Sequence, residues 1–76
     1  MRFMYSRHWK LKQEYRLAIS EDLLEYAIIH SSVLKDRRWE DALNAICRIP
    51  ANGRLLKVVY KRNGNIYKII TAYWLD

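Results

Sequence analysis

His8 is the side chain whose neighbours in the sequence best suit acid–base chemistry. It stands between Arg7 and Trp9 and one helical turn before Lys12. Nearby cations disfavour an imidazolium, so they would lower the pKa of His8 and keep a neutral imidazole near pH 7, as a general base requires. The alternative, which the pattern favours, is that His8 caps a helix or packs its ring on Trp9.

The other soft ligands, His30 and Cys47, do not complete a site with His8. They lie far apart in the sequence and match no zinc-ligand spacing, so we expect no metal and no cofactor. Cys47 lies in an apolar stretch and is expected to be a small buried residue. The chain has two glycines, each in a turn, which excludes a glycine-rich phosphate-binding loop.

Asn63-Gly64 organises the last third of the chain. It separates two apolar, β-branched runs, 55–62 and 65–74, and predicts a type I′ hairpin, because Asn and Gly tolerate positive φ at both central positions. The resulting register pairs Arg62 with Asn65, Tyr60 with Tyr67, Val58 with Ile69, and Leu56 with Thr71. Since opposed residues share a face, the core is expected to receive Leu56, Val58, Tyr60, Tyr67, Ile69, Thr71 and Tyr73. The other face would carry Lys57, Val59, Lys61, Ile66, Lys68, Ile70 and Trp74.

The lysines of that second face suggest a surface for a polyanion. Basic side chains between flat apolar ones can neutralise phosphates while Tyr or Trp stacks on bases. Arg54 would lie on the same surface, and the cluster Arg37-Arg38-Trp39 could extend it. The predicted nucleic-acid-binding residues are Lys57, Lys61, Arg62, Lys68 and Arg38. The alternative, equally supported, is a solvated face whose lysines discourage edge pairing.

Composition and charge limit the classes to which this protein can belong. The 76 residues are expected to form one domain, 1–76, and a hydrophobic content of 51% excludes a disordered tail. One cysteine favours a reducing cytoplasm, and the absence of a long apolar stretch argues against secretion and membrane spanning. The net charge of +6 favours polyanionic partners, nucleic acid first and an anionic membrane or an acidic partner protein next.

Apolar spacing predicts a strand, two helices and further extended segments. Residues 2–6 alternate and predict a short strand, whereas 7–18 have helical spacing. Ser20, followed by two acidic residues, predicts the N-cap of a second helix that ends near His30. Residues 33–35 are expected to be extended, and the charged segment that follows them is expected to be a loop.

The segment 42–49 is compatible with two structures. Helical spacing joins Trp39, Ala42, Leu43 and Ile46. The residues 44–49 also alternate, however, and Pro50 disfavours helix in the residue before it. We favour a strand that ends at Ile49 and turns back into Arg54. The C-terminal half would then be a meander of three antiparallel strands.

Three passages of the sequence carry a family resemblance. The first passage begins with Ser6-Arg7-His8-Trp9, includes Arg16 and ends with Ile19-Ser20-Glu21-Asp22-Leu23-Leu24. The second is Gly53-Arg54-Leu55-Leu56-Lys57-Val58-Val59-Tyr60, and the third is Lys68-Ile69-Ile70-Thr71-Ala72-Tyr73. Together they resemble a widespread family of small proteins grouped with BrnT and the wider RelE/ParE-like toxins. The resemblance implies an α+β fold in which two N-terminal helices pack on an antiparallel sheet of about four strands, with a C-terminal Asn-Gly β-hairpin.

The resemblance also implies a candidate activity. Toxins of this kind resemble ribonucleases that cut mRNA, and antitoxin partners cover their basic groove. Recurrent family positions match His8, Arg16, Arg54, Thr71 and Tyr73. Metal-independent RNA cleavage needs a base, an acid and a cation on the phosphate. The predicted catalytic residues are therefore His8 as base or acid, Arg16 and Arg54 as phosphate clamps, and Tyr73 for positioning or stacking.

The leading hypothesis is a cytoplasmic toxin-antitoxin type RNA-binding protein, with endoribonuclease activity as its candidate reaction. Two alternatives stay open: a non-catalytic nucleic-acid-binding module, and a protein that only binds a protein partner. The expected partners are RNA and an acidic antitoxin-like protein, without a membrane, and the chain is expected to be a monomer or homodimer.

Overall fold

The computed structural model of the chain describes residues 1–7, 19–35 and 42–75, and only the backbone of 32–35. The elements of this part are β1 (Arg2–Tyr5), α1 (Glu21–His30), β2 (Ser32–Lys35), β3 (Leu43–Arg48), β4 (Leu55–Asn63) and β5 (Ile66–Trp74). The predicted first strand, second helix, extended piece at 33–35 and strand at the disputed segment are confirmed. The predicted first helix, beyond Arg7, and the loop over 36–41 lie outside the described residues.

The strands form one mixed sheet in the order β1-β5-β4-β3-β2. The strands β3, β4 and β5 pair antiparallel, which confirms the predicted meander, and β2 pairs antiparallel with β3. Strand β1, however, runs parallel to β5. The predicted fold class, two N-terminal helices on an antiparallel sheet of about four strands, is therefore wrong: the sheet is mixed, has five strands, and receives one helix within the described residues. A parallel pair needs a long crossover, and a four-residue pattern indicates neither a strand's direction nor its neighbour.

The helix α1 begins where its cap predicts. The Ser20 hydroxyl accepts a hydrogen bond from the amide of Leu23 at 3.3 Å, which satisfies one of the amide groups left open at a helix start. Glu21 and Asp22 occupy the first turn and complement the helix dipole. Leu24 and Ala27, on the side facing the sheet, are fully buried, so burial of this apolar stripe holds the helix on β3 and β4.

The hairpin between β4 and β5 turns one residue later than predicted. Asn63 pairs with Ile66, so the two loop residues are Gly64 and Asn65. Gly64 has φ +60°, whereas neither Asn63 nor Asn65 has a positive φ. A glycine at the first central position is typical of a type II′ turn. The predicted type I′ turn at Asn63-Gly64 is therefore wrong.

The later turn displaces the register by two residues, and a β-bulge displaces it by one more. The pairs run Asn63–Ile66, Arg62–Tyr67, Lys61–Lys68 and Tyr60–Ile69, then Val59–Thr71, Val58–Ala72, Lys57–Tyr73 and Leu56–Trp74. A displacement of two preserves the face of every side chain, because side chains alternate with a period of two. The extra residue of the bulge, Ile70, reverses the faces beyond it. The predictions that Thr71 and Tyr73 point inward and Trp74 outward are therefore wrong.

The two faces of the sheet have different surroundings. The face covered by α1, called the core face, belongs to the main cluster of buried side chains, which comprises Ile19, Leu24, Ala27, Ile28, Ala45, Cys47, Ile49, Leu56, Val58, Tyr60, Tyr67, Ile69 and Ala72. The opposite face, called the lysine face, carries Lys57, Lys61 and Lys68. On this second face Val59 and Ile70 form a smaller buried cluster with Ala42.

Candidate nucleic-acid interface

The three lysines predicted to lie together share the lysine face. Lys61 and Lys68 are directly opposed on β4 and β5, and both side chains are exposed. Lys57 lies four residues before Lys61 on the same strand and is partly buried. Four residues of extended chain span about 13 Å, so the face has two positively charged positions along β4.

An aromatic ring lies beside one of these positions. Lys57 is opposed to Tyr73, and its ammonium group lies 5.6 Å from the centre of the Tyr73 ring. An ammonium at this distance is attracted to the π-face of the ring. The bulge at Ile70 creates this neighbourhood, because without it Tyr73 would lie on the core face.

Strand β1 contributes residues that the sequence did not reveal. Phe3 and Tyr5 pack against the main core, so the alternating Arg2 and Met4 lie on the opposite side, the lysine face. Arg2 is exposed, and Met4, which pairs with Lys68, is 55% exposed. No signal in the sequence indicated these neighbours, because a short strand pattern does not specify its partner.

The acidic residues that the structure describes lie on the other side of the sheet. Within residues 1–7, 19–35 and 42–75, the carboxylates belong to Glu21, Asp22 and Glu25, and all three are on α1. The sheet thus separates these carboxylates from the three lysines. In the described part of the chain, the lysine face consequently presents positive charge without an acidic neighbour.

Arg54 and Arg62, which the sequence predicts on the same surface as the lysines, do not lie on the lysine face. The guanidinium of Arg54 lies 4.9 Å from the centre of the Trp74 ring, which packs against the main core. The guanidinium of Arg62 lies 5.2 Å from the ring of Tyr67, and its Nε donates to the carbonyl of Gly64 at 3.1 Å. Both arginines therefore stack on core-face aromatics, although Arg62 is exposed and adjoins Lys61 in the sequence.

The predicted catalytic residues are not assembled in the described part of the chain. His8 and Arg16 lie outside the described residues, as does Arg38 of the predicted binding surface. Arg54 and Tyr73 belong to opposite faces of the sheet, because the former stacks on Trp74 and the latter adjoins Lys57. The four predicted catalytic roles stay predictions.

Residues 1–7, 19–35 and 42–75 contain no group of three or more His, Cys, Asp or Glu side chains that could hold a metal ion. Among the described residues, no helix has the length and apolar character needed to cross a membrane.

The described residues form a mixed five-stranded sheet, with α1 on one face and three lysines on the other. Comparisons of the chain with protein-family models, with curated proteins and with solved structures found no match.

Proposed function

We propose that the protein binds single-stranded RNA on the lysine face. The observation that carries this proposal is the alignment of Lys57, Lys61 and Lys68 on one side of the sheet, opposite α1. Phosphate groups bind lysines largely through charge and the release of counterions, and this supplies much of the affinity of a nucleic-acid complex.

The charge distribution supports a polyanionic ligand. The chain has a net charge of +6, and the carboxylates of the described residues lie on α1, behind the sheet. A polyanion approaching the lysine face therefore meets positive charge first, which raises its association rate. Repulsion by Glu21, Asp22 and Glu25 is weakened by distance and screened by salt over about 10 Å.

The aromatic neighbour of Lys57 supports an unpaired strand over a duplex. Bases that are not paired can splay out and stack on Tyr rings, and sheet surfaces that combine aromatic and basic side chains use this mode. Tyr73 is half-buried and so is held in place. A base that stacks near its ring would leave the Lys57 ammonium to contact the adjoining phosphate.

The proposal is for binding. Cleavage and toxicity, which the family resemblance implies, would rest on the predicted catalytic residues His8, Arg16, Arg54 and Tyr73. An acidic antitoxin-like partner is a further prediction of the same resemblance, and a monomer or homodimer is a separate prediction. Binding needs only the lysine face, so it can be tested separately from these predictions.

Salt dependence and two neighbouring substitutions test the proposal. Lys61→Gln and Arg62→Gln each remove one charge from adjacent residues of β4 whose side chains lie on opposite faces. For three lysine contacts to a single strand, the affinity of the wild type should fall about 18-fold between about 50 and about 200 mM salt. In Lys61→Gln the fall should be about sevenfold, and the affinity at about 0.1 M salt should be about fivefold lower than in the wild type. Arg62→Gln should leave the salt dependence unchanged.

Fluorescence anisotropy with a labelled single-stranded RNA of mixed sequence measures both quantities, and circular dichroism checks that each variant is folded. Equal losses for the two variants would contradict binding on the lysine face. Affinity that does not depend on salt would contradict it as well. Electrophoresis of the same incubations, with chelator present, reports whether the RNA is cut and whether His8→Ala abolishes the cut.

A further inference from the structure

Two lysines lie opposite each other across the β4–β5 ladder. Lys61 and Lys68 form a directly opposed pair, and both are exposed. Opposed residues have their Cβ atoms about 4.5–5.5 Å apart, and like charges at such positions destabilise a sheet. Among the described residues, this pairing is therefore unfavourable in the unliganded protein.

The described surroundings do not offset this repulsion. Lys68 is flanked on its other side by Met4 of β1, and the nearest residues of β4 on the same face as Lys61 are Val59 and Asn63. Within the described residues the carboxylates are those of α1, which lies on the core face. An anion placed between the two ammonium groups would add two attractions that outweigh the repulsion.

We propose that the Lys61–Lys68 pair is a phosphate subsite, which holds one phosphodiester group of the RNA strand proposed to bind the lysine face. The inference rests on that proposed function and adds the position of one phosphate. Two lysines that share one phosphate leave two neutralised phosphates in all, so the affinity of the wild type should then fall about sevenfold, rather than about 18-fold, over the same range of salt. Lys57, about 13 Å away along β4, is too far to share this phosphate and contacts another one beside Tyr73.

Charge reversals form a double-mutant cycle that tests the subsite. Lys61→Glu and Lys68→Glu each convert the repulsive pair into a cross-strand ion pair, so each should raise the unfolding temperature by about 2–8 °C without ligand. The double variant has two opposed carboxylates, so its unfolding temperature should return close to that of the wild type. Lys57→Glu is the matched control, because it reverses a charge on the same face but faces Tyr73, and it should not raise the unfolding temperature.

Inorganic phosphate is the second probe of the same pair. Phosphate should raise the unfolding temperature of the wild type more than that of Lys68→Glu, whereas a general effect of the salt would raise both equally. All three single reversals should lower the affinity for a single-stranded RNA at least fivefold at about 0.1 M salt, because each removes one lysine contact.

The outcomes separate the subsite from the proposed function. The subsite is overturned if neither single reversal stabilises the protein and phosphate protects the wild type and Lys68→Glu alike, even when RNA binding depends on the lysines. RNA binding that is unaffected by all three reversals overturns the proposed function. In that case stabilisation by reversal and selective protection by phosphate would still support the subsite, with a different phosphate-containing ligand.

Discussion

Deletion of Ile70 should leave the fold intact, because this residue is the extra one of the β-bulge. The ladder pairs Tyr60 with Ile69 and Val59 with Thr71, so removing Ile70 makes the two pairs consecutive. Every remaining side chain of β5 would keep its face. The bulge also adjoins the end of β1, which pairs only as far as Ile69, so the parallel ladder would be retained.

The cost of the deletion can be worked out from two contacts. The Ile70 side chain is 7% exposed and packs in the small cluster with Ala42 and Val59, so its loss should cost about 2–3 kcal/mol, the lower part of the range for buried Ile→Ala. The Ser6 hydroxyl donates a hydrogen bond to the Ile70 carbonyl at 2.8 Å, and its loss should cost about 1 kcal/mol. The expected total is about 3–4 kcal/mol, close to that of Ile70→Ala combined with Ser6→Ala.

Deletion of Ala72 is the matched control. It removes a smaller side chain from the same strand, but it moves Tyr73 into the fully buried position opposite Val58 and turns Trp74 away from the core. Overpacking and lost burial together should cost more than about 5 kcal/mol, which approaches the whole stability of a domain of this size. Urea unfolding followed by circular dichroism gives the free energies. Equal costs for the two deletions, or a larger cost for loss of Ile70, would refute the bulge as the element that sets the faces.

Three further predictions concern α1 and its contact with β1. Leu24→Ala should lower the free energy of unfolding by about 2–5 kcal/mol, since Leu24 is fully buried; Ile29→Ala, at a position 56% exposed on the same helix, should change it by less than about 0.5 kcal/mol in the same urea titration. Ser20→Ala should cost about 1 kcal/mol by removing the N-cap, and Ser20→Gly should cost less; equal costs would contradict a capping role. Burial, with the hydrogen bond to Glu21 and its charge, raises the pKa of Tyr5 to about 12. The folded state therefore favours the neutral phenol, so this stabilisation is complete below pH ~10 and is lost as pH rises through about 12; unfolding titrations of Tyr5→Phe should lack that part of the alkaline decline.

Local chemistry made α1 and the strands predictable, whereas their arrangement was not. Ser20 and the acidic residues after it determine the helix start through contacts within one turn, and Pro50 disfavours a helical end to the preceding segment. These effects act between near neighbours and can be read from the sequence. The pairing of β1 with β5 joins residues more than sixty positions apart, as Met4 with Lys68, and no local pattern encodes it. The stacking of Arg54 on Trp74 follows from the bulge and was missed for that reason.

The lysine face was predicted from a register that was wrong, and the reason is a matter of parity. Moving a two-residue turn by one position changes each cross-strand pair by two residues, which leaves all side chains on their predicted faces. The bulge changes the pairing by one residue and reverses the faces, but it acts only beyond Ile70. Lys68 precedes the bulge and Lys57 and Lys61 lie on the partner strand, so the three lysines stay together, while Tyr73 is moved to join them. A bulge placed before Lys68 would have turned that lysine towards the core and separated it from Lys61. The position of one extra residue in β5 therefore determines both the cationic surface and its aromatic neighbour.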